Sequence, residues 1–472
     1  MNAALGLAAL AQTPADPLRA CLASAEQQWK RGHSGPAILQ LTACAREFPR
    51  SPSPHLALGR LLKNQGELMK AAAEFQTAAR LDPRSPLAAG ELGLARMMSK
   101  DYAGALEALR GAAKLAPRDA SILFSLFQCE LELKQFDASA ETAQRIVHLS
   151  PAVPEMFNRL AAEQVRAGDY RHAVSNLERA ATLDQADPLT RYNLVLALFK
   201  AGETARALAA AEPLRTPESA EVENLLGDIF EKLERPLDAV HAYQKAAELA
   251  PANEDYRFDF ILEMVKHETY RAAILVAERA MIDFPQSQRL RLALAIALYL
   301  DQQSEKAASV LFEAARYFAD PAPLLPTLVL TVEARHERLD EAESVLAAYR
   351  ASHPDHAQAL YLSGRLAVAQ DEPARAVPLL ARSVALNPQD ADAQFQLGLA
   401  YEHLGQSQAA LERYREASQL NPDSSQTWYR LSQTLRILGE KEAAAAALRR
   451  FSDLHRRENE RTEVVRFLYQ AR

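Results

Sequence analysis

The segment HPDH, residues 353–356, comes closest to a metal site in this sequence. His353 and His356 could each offer an imidazole nitrogen to a zinc ion, and Asp355 could add a carboxylate. No further protein ligand is evident nearby, so we interpret the segment as a polar turn. A metal-dependent enzyme built on these histidines is the least favoured of three functional hypotheses.

The three cysteines are too few for a disulfide framework, and none of them belongs to a CxxC pair that would indicate zinc binding. Cys129 lies on a predicted helix beside Leu126 and Leu131, which favours a buried thiol that packs like a small hydrophobic residue. The GxxxxGK[ST], GxGxxG, GxSxG and HExxH motifs are all missing from the sequence. The sequence therefore predicts no cofactor and no catalytic centre.

Composition excludes further classes of protein. The formal net charge of −7 argues against a nucleic-acid partner, which needs a concentrated basic surface. No apolar run approaches the roughly 20 residues that span a bilayer. Hydrophobic residues make up 49% of the chain but aromatic residues only 7%, and alanine is abundant. That mixture favours closely packed helices over sheets.

One six-residue pattern returns along the chain at a fixed spacing. AARLDP at 78–83 comes back as AAKLAP at 112–117, and further copies follow. The pattern ends in a proline, which stops a helix because it lacks an N–H and pushes its predecessor out of the α region. Four successive prolines of this kind are each 34 residues apart: Pro49, Pro83, Pro117 and Pro151. A period of about 34 is the spacing of tetratricopeptide repeats.

The chain resembles the tetratricopeptide repeat family over nearly its whole length. With the proline counted as position 32, thirteen repeats cover residues 18–458, beginning at 18, 52, 86, 120, 154, 188, 220, 254, 288, 323, 357, 391 and 425. Position 20 is alanine in every repeat except one, and position 8 is mostly Gly, Ala or Ser. The resemblance implies an all-α fold, an α-solenoid of tandem antiparallel helical hairpins. Small residues at positions 8 and 20 let the two helices approach, and larger residues at position 24 fill the space beside them. Glycines are expected to supply the turns of several hairpins: Gly66, Gly168, Gly405 and Gly439.

Several segments depart from this regular pattern. Pro213 lies inside the second helix of repeat six, which should be short, and Pro321–Pro326 should distort the start of repeat ten. Residues 459–472 follow the last repeat and are predicted to form a capping helix. Residues 1–17 are a separate segment, either a signal-peptide remnant or a frayed terminus. An exported, periplasmic or extracytoplasmic location is favoured over the cytoplasm.

Cys21 and Cys44 fall at positions 4 and 27 of the first repeat. In an antiparallel hairpin that turns near position 15 these two positions face each other, so the thiols should be neighbours. They could form a disulfide in an oxidising compartment, or they could pack as buried cysteines without a bond.

In the family that this chain resembles, the first helices line a concave groove, and position 5 commonly faces it. We call the residues at position 5 of these repeats the position-5 ladder. The ladder carries aromatic rings with asparagines between them: Phe124, Asn158, Tyr192, Asn224, Phe258, Tyr361, Phe395 and Tyr429. Two interpretations stay open. The rings could grip an extended ligand, or they could pack one hairpin on the next.

Other groove positions are apolar in repeats three to six and acidic in repeat seven and the start of eight. The apolar residues are Leu87, Leu94, Met97, Leu131, Val165, Leu189, Leu196 and Phe199. The acidic residues are Glu221, Asp228, Glu231, Asp255 and Asp259. A partner segment with apolar anchors followed by lysine or arginine would match this arrangement.

Two known binding modes of the family do not fit this sequence. The clamp that holds chaperone carboxylates needs lysine at position 5, which no repeat has, and the asparagine ladder of glycosyltransferases at position 6 would contain only Asn193. We predict a non-catalytic scaffold or adaptor that binds an extended peptide or a partner protein in the groove. The alternative is a structural, self-assembling component of an envelope or secretion complex.

Overall fold

The computed structural model describes residues 16–216 and 218–470, with side chains as far as residue 456. This described part contains twenty-six α-helices, two short 3₁₀ turns and no strand. The predicted all-α fold of consecutive helical hairpins is confirmed. No helix in the described ranges is long and apolar enough to cross a bilayer. The described residues divide into two compact units, with the boundary between residues 235 and 236.

The first unit contains six hairpins and one further helix. Its helices are α1 (Pro17–Lys30), α2 (Ser34–Glu47), α3 (Pro52–Asn64), α4 (Leu68–Leu81), α5 (Pro86–Met98), α6 (Tyr102–Leu115), α7 (Ala120–Glu132), α8 (Phe136–Leu149), α9 (Pro154–Ala167), α10 (Tyr170–Leu183), α11 (Pro188–Lys200), α12 (Thr204–Ala211) and α13 (Ala220–Lys232). Helices of one hairpin pack on each other and on the next hairpin along the chain.

The second unit begins with one helix and continues with six hairpins. Its helices are α14 (Pro236–Leu249), α15 (Glu254–Lys266), α16 (Tyr270–Asp283), α17 (Gln288–Leu300), α18 (Ser304–Tyr317), α19 (Leu325–Glu333), α20 (Leu339–Ser352), α21 (Ala357–Ala369), α22 (Pro373–Leu386), α23 (Ala391–His403), α24 (Ser407–Leu420), α25 (Ser425–Ile437) and α26 (Lys441–Gln470). The order of contacts is the same as in the first unit.

Local sequence signals explain where these helices begin and end. The first helix of a hairpin often begins with a proline after an Asp or Ser cap, as in α11, where the Asp187 side chain accepts hydrogen bonds from the backbone N–H groups of Leu189 and Thr190. The second helix ends two residues before the repeated proline, so α4 stops at Leu81 and Pro83 follows in the loop. The predicted role of AARLDP as a helix end is confirmed.

The turn between the two helices of a hairpin uses one residue with a positive φ angle, except in the tenth repeat, where His336 and Arg338 both have one. Glycine holds this place in six hairpins, with φ between 70° and 83°: Gly32, Gly66, Gly168, Gly202, Gly405 and Gly439. Side chains hold the same backbone conformation elsewhere: Lys100, Lys134, Glu234, Glu268, Gln302, His336, Arg338 and Asp371. This conformation costs an L-residue about 1–2 kcal/mol. The packing of the two helices therefore imposes it.

Glycine at position 8 allows the helices of a hairpin to approach. A Cβ atom on Gly59 would lie 2.6 Å from the Phe75 ring, and one on Gly398 would lie 2.6 Å from the Tyr414 ring. Phe75 and Tyr414 are both at position 24 and fully buried. The alanines at position 20 are buried as well, including Ala71 at 0% exposure. The predicted pairing of small and large residues is confirmed.

Both proline-rich departures from the pattern appear as predicted. Helix α12 has only eight residues and passes into a 3₁₀ turn at Glu212–Leu214, which contains Pro213. The segment Ala322–Leu324 forms another 3₁₀ turn, and the following α19 is shortened to nine residues. Proline at these places removes backbone donors that a regular helix would use.

The terminal predictions meet the structure only in part. Residues 1–15 of the predicted N-terminal segment lie outside the described residues. At the other end α26 runs without a break from Lys441 to Gln470 and includes the start of the predicted cap at 459. Because side chains beyond residue 456 lie outside the description, the capping role stays a prediction.

Candidate functional site

The position-5 ladder lies on the first helices of successive hairpins, a surface that we call the first-helix face. Every ladder residue from Phe124 to Phe395 is partly exposed, and Tyr429 is 41% exposed. Side chains that served only the core would be fully buried, as Phe127 is beside Phe124. Part of each ladder side chain is therefore accessible to solvent in both units.

Phe124 shows that a ladder ring can also serve packing. Its ring centroid lies 5.9 Å from that of the fully buried Phe127. The guanidinium carbon of Arg159 lies 3.9 Å from the centroid of Phe124. This cation–π contact joins α7 to α9, so the outer surface of the ring is covered by a neighbour that sequence reasoning missed.

The two ladder asparagines have side-chain oxygens that lack a partner. The Asn158 Nδ2 group donates to Thr190 Oγ1 at 2.7 Å, and this hydroxyl in turn donates to Asp187. The Oδ1 atoms of Asn158 and Asn224 are buried, and neither accepts a hydrogen bond from the described residues. An unsatisfied buried acceptor costs about 1–3 kcal/mol. A hydrogen-bond donor on a ligand could offset this cost after a rotation of the asparagine side chain exposes its Oδ1 atom.

Tyr192 marks the acidic end of the first-helix face in the first unit. Its partial burial raises the pKa of the phenol, and the negative charges of Glu221 and Asp228 raise that pKa further. Asp228 and the nearby Glu231 on α13 are themselves half-buried. Glu221 and Asp228 thus lie near a ladder ring, and the part of this acidic group in binding stays a prediction.

In the second unit the acidic prediction needs a correction. The guanidinium of Arg289 lies 5.0 Å from the Phe258 ring centroid and pairs with both Glu254 and Asp255. Asp255 therefore shares with Glu254 the positive charge of an arginine that lies 34 residues further along the chain, a pairing that repeat position alone does not reveal. Phe258 is covered by the same guanidinium.

The remaining ladder rings sit beside polar bridges or other rings. Tyr361 receives a hydrogen bond of 3.4 Å from Arg365, which is ion-paired with Glu333 on the preceding first helix. Phe395 lies 5.8 Å from the Tyr414 ring, and Tyr429 lies 5.2 Å from the Phe451 ring. Tyr361 packs against two clusters of buried residues and Phe395 against one, and all three side chains keep part of their surface exposed.

The predicted apolar trough contains a pocket where the ladder lacks a side chain. Position 5 of the third repeat is Gly90, and a pocket of about 260 Å³ opens there, lined by Leu87, Leu94 and Ile122. Sequence reasoning missed Gly90 and Ile122, because it searched for side chains and not for a gap between them. One trough residue was wrongly placed: Leu131 is 3% exposed and belongs to the hydrophobic core.

The HPDH histidines have structural partners in place of metal ligands. His353 stacks on Tyr349 with ring centroids 4.3 Å apart, and His356 contacts the same ring edge-on. His356 Nδ1 also accepts a hydrogen bond from the Ala359 N–H and so caps α21. Within the described ranges no group of three or more His, Cys, Asp or Glu residues could hold a metal ion.

The cysteines divide into a close pair and an isolated thiol. The Cα atoms of Cys21 and Cys44 lie 6.0 Å apart and their sulfur atoms are bonded, a separation that a disulfide requires. Oxidation of this pair in the native protein stays a prediction. Cys129 is buried and its Sγ donates to the Tyr102 carbonyl, while burial raises the pKa of this thiol to about 11. Such a thiol is a poor nucleophile near neutral pH.

Comparison with known proteins identifies the repeat. One sequence profile described as "Tetratricopeptide repeat" matches residues 56–120, 192–254, 331–391, 361–417 and 395–453, and a second with the same description matches residues 96–162. Together these matches cover more than half of the chain. No curated protein matches it by sequence.

Solved structures with similar folds share little sequence with this chain. The complex of Naa15 and Naa10 bound to HypK-THB is similar with 16% identity and a TM-score of 0.49, covering 92% of this chain and 68% of that chain. Yeast Tom70 is similar with 14% identity and a TM-score of 0.42, covering 96% of this chain and 95% of that chain. The APC/C hetero-tetramer Cut9-Hcn1 is similar with 14% identity and a TM-score of 0.36, covering 89% of this chain and 97% of that chain.

Proposed function

Because the chain belongs to the tetratricopeptide repeat family, we propose that it is a non-catalytic scaffold that binds an extended segment of a partner protein along its first-helix face. The observation that carries this proposal is the partial exposure of the position-5 ladder in successive hairpins. Partly exposed rings can contact the side chains of a ligand without reorganising the fold, although Arg159 and Arg289 would have to move off Phe124 and Phe258.

The first unit offers the best-defined seat for such a segment. An apolar side chain of the partner would enter the pocket at Gly90, where Leu87, Leu94 and Ile122 supply the walls. The next contacts would be with Asn158, whose amide could hold a peptide backbone group, and with the half-buried Tyr192.

The acidic residues near Tyr192 determine the orientation in which the partner segment would bind. Glu221 and Asp228 lie close enough to Tyr192 to raise its pKa, so the potential at that end of the face is negative. A partner with apolar anchors followed by lysine or arginine would gain from this field, mainly through faster association. Charge reversal at Asp228 and Glu231 should therefore lower the association rate and its salt dependence more than it changes dissociation.

Binding can be tested without endangering the fold. Proteins captured from the native cell by the full-length chain would be identified by mass spectrometry, and a peptide of the captured partner would be titrated calorimetrically. The change Gly90→Leu fills the pocket, while its Cβ would lie at an ordinary 3.5 Å from Ile122 and helix propensity would increase. Binding should weaken by about 1–3 kcal/mol, and Tyr192→Ala should have an effect of similar size.

A matched control separates binding from general damage. Tyr317 is 51% exposed at the end of α18 and belongs to the second unit, whereas the proposed seat lies in the first, so Tyr317→Ala should leave the affinity unchanged. Unchanged binding in Gly90→Leu and Tyr192→Ala would refute the proposed seat. If Tyr192→Ala instead lowers the melting temperature by many degrees and leaves binding intact, the ladder residues serve to pack the hairpins and do not bind the partner. Concentration-dependent sedimentation velocity tests the alternative of self-assembly.

A further inference from the structure

The thirteenth repeat exposes residues that its predecessors bury. Position 24, on the second helix of each hairpin, is at most 3% exposed in the first twelve repeats. In repeat thirteen this position is Leu448 on α26, and it is 46% exposed. Phe451 at position 27 is also partly exposed, whereas Ser383 and Ala417 at the same position of the two preceding repeats are buried. Elsewhere the first helix of the next repeat packs on the second helix, and only α25 packs on α26 within the described residues.

Leu448 and Phe451 form a continuous apolar surface with Tyr429, and we call these three residues the terminal patch. The ring centroids of Tyr429 and Phe451 lie 5.2 Å apart, and Tyr429 is 41% exposed. Beside them a groove of about 650 Å³ is lined by Phe395 and Leu399 as well. A solenoid usually ends in a repeat with a polar outer face, and an exposed apolar surface marks an interaction site. The terminal patch is therefore suited to a partner.

Helix α26 does not cover the terminal patch with its own later residues. The helix continues without a break from Lys441 to Gln470, which corresponds to about 45 Å at 1.5 Å per residue. Its companion α25 has 13 residues and reaches along less than half of that length. Residues further along an unbroken helix cannot turn back onto Leu448 and Phe451 of the same helix. What covers these two side chains must come from another helix.

The opposite end of the array does not match the terminal patch. Position 7 of the first helix is a buried leucine in most repeats, for example Leu58 and Leu92. In α1 this position is Ser24, which is exposed, and so are Ala20 and Gln27 on the same face of the helix. This polar face of α1 would not bury an apolar surface. Head-to-tail stacking of one copy on the next is therefore not favoured.

The sequence of α26 is suited to pairing with a second copy of itself. Residues 455–460 read HRRENE, with arginines before glutamates, and residues 464–468 read VVRFL. In an antiparallel pair that crosses near residue 458, the arginines of each copy would lie opposite the glutamates of the other. The apolar segment 464–468 of each copy would at the same time reach Leu448 and Phe451 of the other.

We propose that two copies of this chain form a twofold-symmetric dimer through antiparallel α26 helices, each covering the terminal patch of the other. A twofold contact uses the same surface on both copies, so the assembly closes at two. The proposal is independent of peptide binding, because the seat at Gly90 lies in the first unit and α26 lies in the second. The dimer would present two binding faces to one partner or to two.

Sedimentation equilibrium of the full-length chain should show a dimer with a dissociation constant on the order of 10 μM or below, and no larger species. Leu448→Lys should raise this constant about 100-fold, because the symmetric interface contains the change twice. Ile437→Lys is the matched control. Ile437 is 67% exposed on α25 at position 13, a position that is also exposed in other repeats at Met98 and Leu300, so the dimer should persist.

Cysteine cross-linking tests the antiparallel arrangement. Leu448→Cys combined with Leu468→Cys should link two chains on oxidation. A bond within one chain is impossible, because the two positions are about 30 Å apart along one helix. Ile437→Cys combined with Leu468→Cys should not link them. A monomer at about 100 μM, growth into larger species, an unchanged dimer in Leu448→Lys, or equal cross-linking in both cysteine pairs would each overturn the proposal.

Discussion

The change Gly398→Ala tests the packing rule that holds each hairpin together. A Cβ at residue 398 would lie 2.6 Å from Cε1 of Tyr414, about 1 Å inside normal carbon–carbon contact. The ring has little room to retreat, because Tyr414 is fully buried and its hydroxyl donates to Glu402 Oε2 at 2.7 Å. Overpacking of this kind costs about 1–3 kcal/mol, and a lost hydrogen bond to a carboxylate could add about 1.5–3 kcal/mol. Alanine returns about 1 kcal/mol of helix propensity.

The expected net loss in the free energy of unfolding is therefore about 1–3 kcal/mol. Repeat arrays unfold in a way that is less than all-or-none, so a local measurement is preferable to one global midpoint. Hydrogen exchange followed by mass spectrometry should show faster exchange in α23 and α24. Gly111→Ala is the matched control, because it lies within α6 with no atom within 4 Å of the new Cβ. That variant should be stabilised by about 0.5–1 kcal/mol.

A double-mutant cycle completes the test. If the clash is the cause, Tyr414→Ala should cost less in the Gly398→Ala background than in the parent protein, since the two changes share one contact. The reasoning fails if Gly398→Ala is as stable as the parent, or if both glycine variants shift stability in the same direction by the same amount.

Three more predictions follow from the same structure. Protein recovered from its native compartment should contain the Cys21–Cys44 disulfide, and reduction should lower stability by roughly 3 kcal/mol, whereas free thiols in mass spectrometry would contradict it. Burial raises the pKa of Glu130, so its contribution to stability is greatest below the unfolded value of about 4.5 and is lost as the pH rises through the higher folded value. Glu130→Gln, which can still accept from Thr142, should therefore have a melting temperature that rises relative to that of the parent as the pH increases above about 4.5; a constant difference would count against this. Limited proteolysis should first cut near Pro213 and within Pro321–Pro326, and early cuts in the middle of repeats two, three or twelve would oppose that placement.

The sequence was a good guide to the fold, because the signals that define a hairpin are local. A proline every 34 residues, an alanine at position 20 and a glycine opposite a large residue each restrict the backbone or the helix spacing directly. Pro213 and Pro321–Pro326 disturb helices for the same local reason, and their effects could be predicted.

The candidate surface was less predictable, because it depends on contacts between hairpins. Arg289 pairs with Asp255, and Arg159 covers Phe124, although neither arginine belongs to the repeat of its partner. Leu131 has the same residue type as the trough residues, but it lies in the core. The pocket at Gly90 results from a missing side chain, which a search for functional residues passes over.

The turns of the hairpins also carry information about the order in which the chain folds. A turn that glycine can form at little cost is available before the two helices have docked, whereas a turn that places lysine or glutamate at positive φ forms only when docking imposes it. In a folding transition state, glycine-turn hairpins should therefore be largely formed and the others should follow by propagation from a folded neighbour. The glycine turns lie in the first, second, fifth, sixth, twelfth and thirteenth repeats. Nucleation in the second unit should thus start at its C-terminal hairpins. In the first unit it can start either at the first and second repeats or at the fifth and sixth.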